Sequence, residues 1–286
     1  MIRKDDTMTN ETIQALTIEG SDTGAGCGLQ ADLKTFHQRK VFGLNIVVAL
    51  TAQNSLGTKG VMTVNDDFIA QQFEAIHEDF KVRAAKVGML VDTRTVRAVA
   101  KQLKIAQFSQ LVVDPVIFEK SGYRLLEESA EQVLTEEIVP MADVLTPNLA
   151  EAAAMVGRKL KTSDDMIEAA QELQALGANN IVIKGGHGGG EMSADYVLLE
   201  NGEGFWLSAP RVETSNLNGT GDTFSACITA ELAKGHHPKQ AIITAKCFIQ
   251  DALENPLSVG HGNGPTNQWA TRSDQVEIHE HLTFVL

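Results

Sequence analysis

The chain has 286 residues, 43% of them hydrophobic and 21% charged, the make-up of a globular protein that buries a core rather than of a disordered one. Its 24 basic and 37 acidic side chains give a formal charge of −13, and its longest basic cluster is GRKLK at 157–161. Nucleic acids and anionic membranes need a basic face, so the balance argues against both as partners.

Residues 1–13 are polar, offer no apolar run for a signal peptide and are expected to fray ahead of one domain spanning 14–286. After them, short apolar runs alternate with stretches of helical period, the pattern of βαβ units on a mostly parallel sheet flanked by helices. The strand candidates are ALTIE (15–19), LNIVVALT (44–51), AAKVG (84–88), LVVDPV (111–116), DVLTP (143–147), NIVIKG (180–185), DYVLLE (195–200) and GFWLSA (204–209). Between the last two, Asn201 and Gly202 predict a hairpin, one small antiparallel excursion. Phe68, Ile69, Phe73, Ile76 and Phe80 fall on one helical face, as do Met166, Ile167, Ala170, Leu173 and Leu176 after a Thr162/Ser163 cap. Two further helices fit 222–234 and 238–254. No stretch of about 18 apolar residues occurs, as a spanning helix would need. Three cysteines, Cys27, Cys227 and Cys247, are odd in number and widely spaced, which suits reduced packing residues in a cytoplasmic protein.

Glycines gather at the strand exits, in EGSDTGAGCG (19–28), KVGM (86–89), KGGHGGG (184–190), NGTGD (218–222) and VGHGNGP (259–265). Ligands of open α/β sheets lie beyond the carboxyl ends of the strands, and close backbone approach suits a phosphate-bearing one. The first loop fails the dinucleotide fingerprint, because Leu29 and Ala31 stand where glycines are required. No P-loop motif is present either.

In NLNGTGDTFSACIT (216–229), Gly219, Thr220 and Gly221 precede a helix beginning near Asp222, where free N–H groups and the helix dipole attract anions. A carboxylate there repels phosphate unless it accepts the proton of an attacking hydroxyl, a recurrent part of phosphoryl transfer. Equally, Asp222 is a plain N-cap worth about 1 kcal/mol.

The blocks ALTIEGSD, GLQADLKTF, ALTAQNS, KVGML, VVDPV, KSG, LTPNLAEA, VIKGGH, NGTGDTFSA and VGHGNGP follow one another across 15–265. In that order they resemble the hydroxymethylpyrimidine/phosphomethylpyrimidine kinases of thiamin synthesis, a ribokinase-like family whose close relatives include pyridoxal kinases. The resemblance implies a ribokinase-like fold and ATP-dependent phosphorylation of a hydroxymethyl group. It makes Asp222 the base and the N–H groups of Gly219, Thr220 and Gly221 the anion hole. It places Lys184, Asn148 and Asn218 at ATP, and Glu151, through water, at Mg²⁺, with Asp114 a further metal candidate. It lines the substrate pocket with Gly20, Asp32, Gln53, Met89 and Val116, where the Gln53 amide complements an aminopyrimidine edge. Taken singly, Lys184 is a strand-end lysine, Glu151 a first-turn acid, Asp32 a helix-surface acid and Gln53 a loop amide. A homodimer and a possible monovalent cation belong to the same implication.

Two positions depart from the family pattern. Asn218 and Asp222 stand where it commonly has His and Cys, and GSDTGAGCG replaces its usual G-S-D-x-S-G-G-A-G loop. An aspartate at 222 strengthens the acid–base reading and removes a thiol; the altered loop bears on specificity. The expected substrate is 4-amino-5-hydroxymethyl-2-methylpyrimidine and then its monophosphate, with pyridoxal the alternative and a non-catalytic nucleotide or vitamin sensor the reading from another class. EKSGYRLL (119–126) reads as a flap over substrate or as a plain loop.

Overall fold

A computed structural model describes residues 11–118, 124–186 and 190–286; residues 1–10 of the stretch expected to fray, and 119–123 of the flap candidate, lie outside them. The strands are β1 (Gln14–Asp22), β2 (Phe42–Asn54), β3 (Gly57–Thr63), β4 (Val82–Val87), β5 (Leu111–Val113), β6 (Val144–Leu145), β7 (Asn180–Ile183), β8 (Met192–Leu198), β9 (Gly204–Pro210) and β10 (Glu277–His279). The helices are α1 (Gly28–Gln38), α2 (Asp66–Asp79), α3 (Thr93–Ala106), α4 (Glu128–Glu137), α5 (Leu149–Met155), α6 (Ser163–Ala175), α7 (Thr220–Ala233) and α8 (Pro238–Glu254). They build one sheet in the order β10-β9-β8-β7-β6-β5-β4-β1-β2-β3.

From β2 across to β7 neighbouring strands run parallel, while β3 at one edge and β8, β9 and β10 at the other are antiparallel. The expected β8–β9 hairpin is therefore present, and β3 and β10 extend the antiparallel edges beyond it. Strand β3 has no buried face, so it lacks the alternation that marks a strand in sequence. Strand β10 is three residues long.

Side chains along each strand alternate between two helical layers. On one face Leu16, Ile18, Ala85 and Val87 pack under α2, α3, α4 and α6. On the other, Ala15, Ala84, Val112 and Val182 pack under α1, α7 and α8. Helix α6 starts in a capping box between Thr162 and Asp165. In α2, Ile69 and Phe73 are buried as expected, but Phe68 is 52% exposed because it sits in the first turn, beside the solvent-facing Asp66 and Asp67. No helix among the described residues is long and apolar enough to cross a membrane.

Candidate active site

The same alternation places four ionisable side chains in one spot. Thr17 and Glu19 of β1 share a face with Ala15, Lys86 of β4 shares it with Ala84, and α1 and α7 cover that face with Asp32 and Asp222. Lys86 Nζ lies 2.8 Å from Glu19, 2.7 Å from Asp32 and 3.2 Å from Asp222. Its side chain is wholly buried, as is that of Asp32, and Glu19 is 2% exposed; Asp222, at 12%, is the member that reaches the opening. Buried charges must be paired, and one ammonium serves three carboxyl groups here. The Lys86 ammonium thus fills the centre of an acidic cluster that would otherwise suit a cation.

Burial opposes ionisation of Asp222, yet the Lys86 ammonium and hydrogen bonds from Glu19 and the Gly28 amide hold its carboxyl below the ordinary range. Burial, with the Asp222 charge next, pushes Glu19 well up. Asp32 is also raised, by burial, against the pull of Lys86. The Lys86 ammonium is raised well above its usual value: burial works against its charge, and Asp32, Glu19 and Asp222 outweigh it.

Helix α7 begins three residues earlier than a cap at Asp222 would require. Gly219 is its N-cap, with φ 80°, and makes no side-chain cap. A Cβ on Gly219 would stand 2.1 Å from the Gly26 carbonyl oxygen, so only glycine lets this turn press against the β1–α1 loop. That loop is organised by Asp22, which accepts from the N–H groups of Gly24, Gly26 and Cys27 at 2.8, 2.8 and 3.1 Å. The Thr220 N–H turns back to the Leu217 carbonyl at 3.3 Å, whereas the Gly219 and Gly221 N–H groups have no protein acceptor among the described residues. Asn218 clamps the turn to the 264–266 segment: its N–H donates to Gly264, and its carbonyl accepts from the Thr266 amide and hydroxyl.

Beside Gly221 lies a second cluster. A Cβ there would come within 3.2 Å of Asp114 Oδ2 and 3.3 Å of Lys184 Nζ. Lys184 pairs with Asp114 at 3.0 Å and keeps its side chain partly exposed. Glu151 is 2% exposed and closes a capping box, accepting from Asn148 N–H at 2.8 Å and from Ile117 N–H at 3.1 Å. Burial lifts its carboxyl to about 7, against the opposing Lys184 charge. Two carboxyl groups against one ammonium suit a hard divalent cation that keeps its waters.

The remaining expected residues lie at or just beyond the carboxyl ends of β1, β2, β4 and β5. Met89 lies over Gly20, where a Cβ would touch its methyl at 2.5 Å. Val116 holds φ 25°, rare for a β-branched residue, at the exit of β5. The Gln53 amide is half-buried; it accepts from the Thr58 hydroxyl at 2.8 Å and donates weakly to the Cys27 sulfur at 3.4 Å. Asp32 differs from expectation. It lies beneath the pocket rather than on its wall, both oxygens taken by Lys86 and one also by Thr17 at 2.5 Å.

Sequence reasoning passed over Glu19, Lys86 and Asp22. The signal was present for Lys86, since a lysine inside an apolar run of a central parallel strand has to find buried carboxylates.

Comparison with known proteins places these residues in a family. Residues 22–267 match the family model described as phosphomethylpyrimidine kinase. A hydroxymethylpyrimidine/phosphomethylpyrimidine kinase of Haemophilus influenzae is 46% identical over 260 residues, covering 90% of this chain and 97% of its own. A pyridoxine kinase of Bacillus subtilis is 40% identical over 92% of this chain and 98% of its own. The crystal structure of an ADP complex of Bacillus subtilis pyridoxal kinase superposes with a TM-score of 0.84 at 39% identity, covering 91% and 98% of the two chains.

Proposed function

We propose, from the premise that this chain belongs to the phosphomethylpyrimidine kinase family, that it phosphorylates the hydroxymethyl group of 4-amino-5-hydroxymethyl-2-methylpyrimidine with ATP, and then the resulting monophosphate. The carrying observation is Asp222: a carboxylate held ionised by Lys86, turned to the opening, beside a helix mouth with two N–H groups left for an anion. Asp222 accepts the hydroxyl proton as the substrate oxygen bonds to the γ-phosphorus and the bond to the ADP oxygen breaks. The Gly219 and Gly221 amides and the α7 dipole hold the charge that develops on the transferring group. Lys184 meets the phosphates as a point charge, with Asn148 and Asn218 shaping the nucleotide side. Mg²⁺, held through water by Glu151 and Asp114, would neutralise phosphate charge. Gly20, Met89 and Val116 enclose the ring, and Gln53, whose sulfur contact is weak, turns its amide to the aminopyrimidine edge.

Kinetics with a substrate panel and ATP test this reading. A higher kcat/KM for the pyrimidine than for pyridoxal is expected. The reverse preference would establish the second reading, a pyridoxal kinase, which the similarity to the Bacillus subtilis enzymes favours. No ADP release with any hydroxymethyl heterocycle would leave a nucleotide or vitamin sensor. The same assay with and without K⁺ reads any monovalent-cation requirement. A homodimer is part of the proposal, and the exposed Leu50, Leu56, Val61 and Met62 on the β2–β3 edge suit it; sedimentation checks it.

A further inference from the structure

We propose that Glu19 works as a neutral carboxylic acid, a positioning residue whose proton is donated to the Asp222 carboxylate and keeps that base aimed at the substrate hydroxyl. The proposal rests on the reading of Asp222 as the base of phosphoryl transfer. Its ground is a charge count in a closed space. Oxygen atoms of Glu19, Asp32 and Asp222 all lie within 4.8 Å of one another. They share one ammonium, so three ionised carboxyl groups would leave two uncompensated negative charges where Lys86 and Asp32 have no exposure and Glu19 has 2%. Like charges this close in a medium of low dielectric are costly, and such a group of acids retains a proton.

Among the described residues Lys184, from the end of β7, also acts on Asp222, but its ammonium is already paired with Asp114. Asp22 and the Cys27 thiol face the cluster from the β1–α1 loop, and Asp114 faces it from the end of β5; none is a cation.

Hydrogen bonding and exposure together select the carboxyl group that keeps the proton. Asp32 accepts from Lys86 with both oxygens and from the Thr17 hydroxyl, the donor set of an anion. Asp222 receives Lys86 and the Gly28 amide. Glu19 receives one Lys86 bond at 2.8 Å and a long one from the Met89 N–H at 3.3 Å, fewer than Asp32 receives, and at 2% exposure it lacks the access to solvent that Asp222 has at 12%. Burial and the Asp222 charge push the Glu19 carboxyl up, in agreement. Gly88 closes the other side, since a Cβ there would stand 2.3 to 2.5 Å from the Glu19 carboxyl atoms. Glu19 is thus pinned between Gly88 and Lys86 with Asp222 and Asp32 both within reach, and Asp222, which has fewer other donors than Asp32, is the acceptor assigned to its O–H.

The test compares Glu19→Gln, Glu19→Ala and Asp222→Asn. A glutamine keeps a neutral donor to Asp222 and an acceptor for Lys86; an alanine removes both. Glu19→Ala is expected to lower kcat roughly 10- to 100-fold at unchanged KM for ATP, and to move the acid limb of kcat/KM to higher pH because Asp222 has lost a donor. Glu19→Gln is expected to recover most of that rate and restore the pH profile. In the infrared difference spectrum of folded wild type minus Glu19→Gln at neutral pH, the carbonyl stretch of a protonated carboxyl is expected. Absence of that band, a Glu19→Gln enzyme as impaired as Glu19→Ala, or a Glu19→Ala enzyme with wild-type rate and profile each overturns the proposal. Full turnover by Asp222→Asn overturns the reading of Asp222 itself, whatever Glu19 does.

Discussion

Two lysines stand among carboxyl groups at the ends of the central strands, and they are held in opposite ways. Around Lys86 every partner is a side chain, no solvent reaches the ammonium, and three acids crowd it. Around Lys184 one acid is a side-chain partner, the other is tied to backbone amides, and the lysine side chain is 17% exposed. The first arrangement fixes the charge and aim of Asp222 from beneath. The second leaves a cation facing outward, able to meet a phosphate. Burial with side-chain partners sets protonation; partial exposure beside a backbone-tied acid leaves a charge accessible.

Replacing the two lysines gives the largest separation. Lys86→Met strands buried carboxylates and is expected to lower unfolding free energy by about 3–5 kcal/mol in urea titration. Lys184→Met is expected to cost clearly less and to appear instead as a raised KM for ATP. Equal losses of stability would erase the distinction. Next comes Asp222→Asn, expected to cut kcat by at least about 10²-fold while ATP binding, read by calorimetry, stays intact. Near-normal turnover would reduce Asp222 to an acid of the first helical turn.

Glu151→Gln probes the backbone-tied acid. It sets an NH₂ group against a backbone N–H, of either Asn148 or Ile117, and is expected to destabilise by about 1–3 kcal/mol in thermal or urea unfolding. The smallest effect concerns pH. Folded Glu19 binds its proton more tightly than the unfolded chain does, so its contribution weakens stability as pH rises from the ordinary carboxylate range towards neutrality. Glu19→Gln is neutral in both states, so the stability difference from wild type should change by at most about 1.4 kcal/mol per pH unit over that window. A pH-independent difference would show Glu19 ionised in the fold.

The parallel core of the fold was legible because its strands are apolar runs, most of them ended by glycine or proline, as in LVVDPV and NIVIKG. The β8–β9 hairpin was legible from Asn201-Gly202. Strand β3 was not, since GTKGVMT buries no face, and the chain-terminal strand β10 is too short to carry a pattern. In the site, Asp222 and its three preceding residues drew notice because glycines flank an acid at a helix start. Glu19 and Lys86 lie 67 residues apart and carry no local motif. Asp32 was noticed yet placed on the pocket wall, because sequence spacing does not show whether a helix-borne acid meets ligand or a buried lysine.

The sequence by itself determined the class of sheet, the loops that gather at its ligand-binding edge, and the kinship with phosphomethylpyrimidine kinases. These follow from periodicity and from short motifs, which are local. The tertiary structure alone decided which acids share one ammonium and which of them opens to the pocket. That outcome depends on two strands and two helices, distant in the chain, meeting on one face of the sheet, where low dielectric and scarce donors leave one cation to be divided among three carboxyl groups.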